Sequence, residues 1–404
     1  MGVLSFLQNS PNLLKVFIMT NPPINQNDPE INSPVSTSPI ASKRLLSIDA
    51  LRGFDMLLIA GAGSFIVLLK GKTGISAIDW LAGQFYHPAW NGFSFYDFIF
   101  PLFLFIAGVS LTFSLNKGRS MGMSKTTLYR KTFTRMLVLI LLGILFKNSP
   151  VPFFEPSQIR LGSVLGRIGI ATFVSTLIYL NFDFYKRLGA AILILLLYYA
   201  ALFLIPVPGY GAGDLSFEGN LVGWFDRTFL PGILKQEIFD ELGLLTQISA
   251  LCLTIFGTLA GEILGKAWLD TKKIKYLAFA GVIGILLALV WDLHFPINKH
   301  LWSSSFILLT SGMSFLTLLL FYVVIDVWKI KKWAFFFQVI GLNSLTIYFA
   351  YSFIDFRFTS QKLFAGLYAP LAEEWHPVFQ AFGALLLVWL FLYILYRLKI
   401  FVKV

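Results

Sequence analysis

Ser94-Phe95-Tyr96-Asp97-Phe98-Ile99-Phe100-Pro101-Leu102-Phe103-Leu104-Phe105-Ile106-Ala107-Gly108 opens a run that stays mostly apolar as far as Leu115. A helix needs about 20 such residues to cross the hydrocarbon of a bilayer. Similar blocks recur along the chain, at about 45–69, 94–116, 132–148, 159–180, 188–206, 244–265, 276–293, 303–326, 333–353 and 378–398. The reading is an all-α, polytopic membrane bundle of about ten transmembrane helices. Composition agrees: of 404 residues 57% are hydrophobic and 13% charged, where soluble domains carry roughly 25% charged residues. Mean hydropathy is +0.74. A water-soluble globule, a disordered chain and a fibrous protein are excluded. One cysteine and four histidines rule out a disulfide framework or cysteine-rich metal site, and no metal is expected. The net charge of +11 belongs to cytoplasmic loops rather than to a nucleic-acid surface.

Residues 1–42 differ from the rest. Their Asn, Pro, Ser and Asp cannot build a core and predict a mobile tail ahead of a membrane domain at 43–404. Basic residues then orient the spans. Lys43 and Arg44 precede the first; Lys117, Arg119, Lys125, Arg130 and Lys131 fill the second connection. Lys186 and Arg187, Lys266 to Lys275, Lys329 to Lys332, and Arg397 to Lys403 occupy later ones. With ten spans all fall on one side, which makes that side and both termini cytoplasmic. No internal repeat is evident, so a transporter built from inverted halves gains no support.

Ionisable groups inside spans are costly and are usually retained for function. Asp49, Arg52 and Asp55 recur along the first span, so Arg52 lies between two carboxylates. That pattern is equally a self-neutralising knot or a phosphate-binding cation. His87 sits before Pro88, with Trp90 and Asn91 close by and Asp97 entering the next span. Its aromatic surroundings suit an imidazole base near neutral pH. Arg160 and Arg167 lie two turns apart at the fourth span. Asp240 and Glu241 precede the sixth, Lys299 sits in an outer turn before the eighth, and Asn343 is placed in mid-membrane. Helix capping and interhelical hydrogen bonding are the plain alternatives for the carboxylates and for Asn343. Cys252 reads as packing.

Three segments together carry a resemblance: Arg44-Leu45-Leu46-Ser47-Ile48-Asp49-Ala50-Leu51-Arg52-Gly53, His87-Pro88-Ala89-Trp90-Asn91-Gly92 and Asp97-Phe98-Ile99-Phe100-Pro101 through Gly108. With Phe239-Asp240-Glu241-Leu242-Gly243, Pro296-Ile297-Asn298-Lys299 and Gly341-Leu342-Asn343-Ser344, the chain resembles the heparan-α-glucosaminide N-acetyltransferase family of transmembrane acyltransferases. The likeness runs from Arg44 to the C-terminus and is to bacterial-type members without the extra extracytoplasmic N-terminal domain. It implies a helical bundle that takes an acetyl group from cytoplasmic acetyl-CoA to the amine of a glucosamine on the far side. The family's catalytic histidine precedes the Trp-Asn-Gly, where His87 stands. The family often has Asp-Pro-Glu-Gly where this chain has Asp240-Glu241-Leu242-Gly243.

The resulting expectation is an acetyl-CoA-dependent N-acetyltransferase in a bacterial inner membrane. His87 is the base or a transient acetyl acceptor, and Asn91 or Asn343 donates to the thioester oxygen or steadies the imidazole. Asp240, Glu241, Lys299, Trp90 and Asp97 face the sugar; Arg52, Arg167, Asn343 and Asp49 face the donor. The acceptor is expected to be a small aminosugar or cell-wall fragment, and a homodimer is left open. A sugar or aminosugar transporter is the alternative; it shares the aromatic richness and buried charges but leaves His87 without a role.

Overall fold

The computed structural model describes residues 45–152 and 154–402, so the expected tail at 1–42 lies outside the described residues. Among the described residues the regular structure is helical apart from isolated bridges. The chain is an integral membrane protein: among the described residues eight helices are long and apolar enough to cross a bilayer, or nine with one bent pair counted.

Helix α1 (Leu46–Leu68) widens into a π-turn at Leu58–Ala62, where Gly61 takes φ 118°. The short α2 (Ser76–Gly83) leads to α3 (Phe95–Ser120), α4 (Lys125–Lys147), α5 (Val164–Asn181) and α6 (Phe184–Leu204). A loop carrying α7 (Leu221–Phe229) precedes α8 (Leu245–Gly265), α9 (Asp270–Asp292) and α10 (Ser304–Val327). The bent pair is α11 (Ala334–Leu342) and α12 (Ser344–Phe353), whose axes differ by 68°. Then come α13 (Phe356–Tyr368), absent from the sequence expectation, and α14 (His376–Arg397).

The count differs from the expected ten at α4. That helix has the length of a span, 23 residues, but Lys125, Arg130, Lys131, Arg135 and Lys147 make it too polar to qualify by composition. It nonetheless runs antiparallel to α5 for its whole length. Lys125 reaches Asn181 at one end, Gly169 meets Met136 midway, and Gly143 meets Ser163 at the other.

In lipid, helix ends must satisfy their own backbone groups, and the sequence supplies the caps. Ser124, Ser163, Asp183 and Ser303 each accept from a first-turn amide of the helix they start. Helix α3 begins with a full capping box of Ser94 and Asp97. Apolar burial adds little between helices in lipid, so close backbone approach does the work. Helices α3 and α8 cross at Gly108 and Gly257, where a Cβ on either would overlap the other helix's backbone. Helices α1 and α11 cross likewise at Gly53 and Gly341. The core around Phe105, Leu253, Phe306 and Phe315 fills the middle, and the cavity described next lies along one side of it.

Candidate active site

Capping fixes one half of a charge pair. Asp97 is 1% exposed; its Oδ2 accepts from the Ser94 backbone N–H at 3.0 Å and from the Ser94 hydroxyl at 3.1 Å. Its Oδ1 is left to face His87, whose Nδ1 stands 2.6 Å away. The imidazole stacks on Tyr96, ring centres 4.7 Å apart, which fixes its plane. Lys299 Nζ completes the group, 3.3 Å from Asp97 Oδ1 and 3.3 Å from each ring nitrogen of His87. Burial pushes the Lys299 ammonium below its ordinary value, against the opposing pull of Asp97 and Glu241.

The loops that carry His87 and Lys299 are strapped together. Asn298 Nδ2 donates to Asn91 Oδ1 at 2.9 Å, and Gly92 N donates to Ile297 O at 2.9 Å. Asn91 is thus a strut between the two loops, holding His87 and Lys299 in register from outside the cavity wall.

His87, Tyr96 and Lys299 line one end of a cavity of about 860 Å³. It follows a single face of α3 from Tyr96 through Ile99, Phe103, Ile106 and Ser110 to Ser114. At 1.5 Å per residue that is about 27 Å, close to the thickness of a bilayer core. Its far end is basic: Arg52, Lys131 and Arg135 line it together. Arg52 donates to Ser110 Oγ at 2.5 Å and to Asp49 Oδ1 at 3.4 Å. Asp49 is therefore a partner of Arg52. Asp55, expected to share that knot, is fully buried, and neither of its oxygens has a hydrogen-bond partner among the described residues. Sequence alone does not single out Lys131 and Arg135, because Lys131 stands in a run of basic residues that reads as a connection. Their spacing of four on α4 was the available signal, since it puts both on one helix face.

Other expected site residues stand elsewhere. Arg167 is 1% exposed and absent from the cavity lining. It stacks on Trp302 at 4.4 Å and donates to Glu241 O, Thr246 Oγ1 and Gln247 Oε1; it joins α5 to the start of α8. Asp240 is fully buried in a two-pronged pair with Arg160, both contacts 2.7 Å. A carboxylate so engaged is part of the scaffold, because breaking a buried pair leaves an uncompensated charge. Glu241 pairs with Lys235 and lies 3.8 Å from His300. Trp90 stacks on His300 at 5.3 Å and donates to Leu215 O, outside the cavity lining. Asn343 falls within the bent pair. It sits in the break between α11 and α12, next to Gly341, which packs on the Asp49 backbone. Its Nδ2 donates to Ile400 O at 3.1 Å, tying down the segment whose Phe401 and Val402 close the basic end of the cavity.

The His87–Asp97 pair thus stands at one end of a cavity whose other end is lined by Arg52, Lys131 and Arg135. Residues 44–212 match the family model described as heparan-alpha-glucosaminide N-acetyltransferase, catalytic. Over that segment the chain is similar to this family. The matched segment holds Arg52, His87, Asp97, Lys131 and Arg135, that is, both ends of the cavity. Two curated relatives carry the name heparan-alpha-glucosaminide N-acetyltransferase. The Mus musculus protein is 27% identical over 445 residues, covering 93% of this chain and 64% of its own length. The Homo sapiens protein is 28% identical over 416 residues, covering 89% of this chain and 60% of its own. The chain thus spans less than two thirds of the curated relatives it matches.

Proposed function

We propose that the protein is a membrane N-acetyltransferase that takes an acetyl group from acetyl-CoA at the Arg52 end of the cavity to a glucosamine-type amine at the His87 end. The observation that carries this reading is the continuity of the cavity between the three cations and the His87–Asp97 pair.

Acyl transfer from a thioester to an amine needs a neutral nucleophile, a base for its proton and a place for charge on the carbonyl oxygen. Asp97, accepting from Nδ1–H, holds the imidazole in the tautomer whose Nε2 is free to take the amine's proton. Asp97 also stabilises the imidazolium that results, as the carboxylate of a catalytic triad does. The amine attacks the thioester carbon, the carbon–sulfur bond breaks, and the imidazolium returns the proton to the leaving thiolate. Lys299 supplies positive charge beside the reacting carbonyl.

Arg52, Lys131 and Arg135 fit the phosphates of the donor, since guanidinium and ammonium groups bind phosphate by charge-assisted hydrogen bonds. Phosphates are prohibitively costly to place in lipid, so this end belongs at the cytoplasmic face. The same side receives the basic connections under the positive-inside rule, with α4 crossing beside α5 as the tenth span and both termini inside. The acceptor then enters from the other face, which for a bacterial cell is the outer face of the inner membrane, and a small aminosugar or cell-wall fragment fits a site reached between loops. Purified protein given acetyl-CoA and glucosamine tests this: release of CoA with formation of N-acetylglucosamine is expected. Sugar flux through liposomes without CoA release would contradict it and favour a carrier.

A further inference from the structure

The amine closest to the base of this site belongs to the protein itself. Lys299 Nζ lies 3.3 Å from His87 Nε2 and lines the same end of the same cavity. An acceptor amine must come within about 2.6–3.2 Å of the base that deprotonates it, so Lys299 already stands at the edge of the acceptor's place. It is held there. Beyond the Asn91–Asn298 strut, Asn298 Oδ1 accepts from Leu301 N at 2.8 Å, and Trp302 N donates to Lys299 O at 3.1 Å, with Trp302 itself at φ 49°. The side chain is 17% exposed.

We infer that Lys299 is a self-acetylation site: when acetyl-CoA is bound and no sugar acceptor is present, the acetyl group passes to Lys299 Nζ and closes the site. This rests on the acetyltransferase reading above. The ammonium first loses a proton to His87 Nε2; its burial, which disfavours the charged form, eases that step. The neutral Nζ attacks the thioester carbon, a carbon–nitrogen bond forms, and the carbon–sulfur bond breaks. The thiolate leaves as the free thiol with the proton that His87 returns, and the second proton of the ammonium goes to solvent. The product is an amide, with no charge left to pair with Asp97 and an acetyl group where the acceptor would enter. The Asp97 contact, which favours the ammonium, restrains the reaction. A bound sugar prevents it by occupying the space next to Nε2.

Mass spectrometry of the full-length protein after incubation with acetyl-CoA alone tests this, with acetylation of added glucosamine measured on the same preparation. Expected is an amide-linked acetyl group on Lys299, stable to hydroxylamine, unlike an acetyl-imidazole on His87. Occupancy should exceed that at Lys131, which lines the opposite end of the cavity, and at the half-buried Lys72, whose Nζ donates to Glu374 O. Glucosamine present from the start should suppress it, and His87→Ala should lower it by about a hundredfold, as for loss of a positioned base. Three results would overturn the inference: no acetyl on Lys299, equal acetylation of Lys131 and Lys72, or labelling indifferent to His87→Ala. If glucosamine is acetylated while Lys299 stays free, self-acetylation fails and the enzyme reading stands. If neither is acetylated, both fail.

Discussion

At the scale of the residue, the two ends of the cavity make different demands. His87, 2.6 Å from Asp97 and facing the cavity, is proposed to act on the proton transfer. His87→Ala is expected to lower kcat by about 10²–10⁴-fold with the KM for acetyl-CoA little changed. Arg135, at the basic end, is proposed to act on donor binding. Arg135→Ala is expected to raise the KM for acetyl-CoA by about 10- to 100-fold, the loss of one charge-assisted contact, with kcat nearly kept. Steady-state kinetics of the pair checks both, and identical signatures would contradict the division of labour. His87, Asp97 and Lys299 were legible in the sequence because each is an ionisable group in an apolar or aromatic setting. Arg167 and Asp240 drew the same reading but were misplaced. What separates them is the partner, Trp302 for one and Arg160 for the other, and a partner far along the chain leaves no mark on local sequence.

At the scale of the element, apolar length revealed most helices, while breaks and polar helices were hidden. The bend between α11 and α12 falls inside one apolar run, so nothing in its hydropathy signalled that Asn343 sits at a break. Hydropathy starts the α4 span at residue 132 and leaves its basic first turns to the loop; the continuous helix from Lys125 carries them alongside α5. If α4 crosses the membrane, Met121 and Phe154, both exposed, lie on opposite faces. Met121→Cys and Phe154→Cys should then react with an impermeant maleimide from opposite sides of sealed vesicles, Cys252 being buried. Labelling of both from one side would contradict the crossing. Helix α7 is fastened by a titratable contact: Asp226 Oδ1 accepts from Leu244 N at 3.0 Å, just before α8. Burial, with Asp240 adding, pushes the Asp226 carboxyl up to about 7, from an ordinary value of about 3.9. A raised value means the folded state favours the protonated form, so this stabilisation is full below about pH 4 and is lost as pH rises toward 7. Asp226→Asn, neutral throughout, should melt above the parent protein at about pH 8 and together with it at about pH 4. An equal change in melting midpoint at both pH values would contradict the assignment.

At the scale of the whole molecule, one cavity about as long as a bilayer is thick runs from a cluster of cations to the His87–Asp97 pair. Composition and recurring apolar blocks made the helical bundle legible, because both signals are sums over many residues. The channel was not legible, since it is built from single faces of α1, α3, α4, α5 and α12 that meet only after folding. Its proposed sense is set by electrostatics: the donor's phosphates stay at the Arg52 end while the acetyl group travels toward His87. Sealed vesicles of known orientation test this most directly, with acetyl-CoA confined to the face bearing Lys131 and glucosamine to the face bearing Lys299. N-acetylglucosamine is expected to form on the glucosamine side, with CoA released on the other, and His87→Ala is expected to abolish both. Acetylation only when donor and acceptor share one face would contradict it.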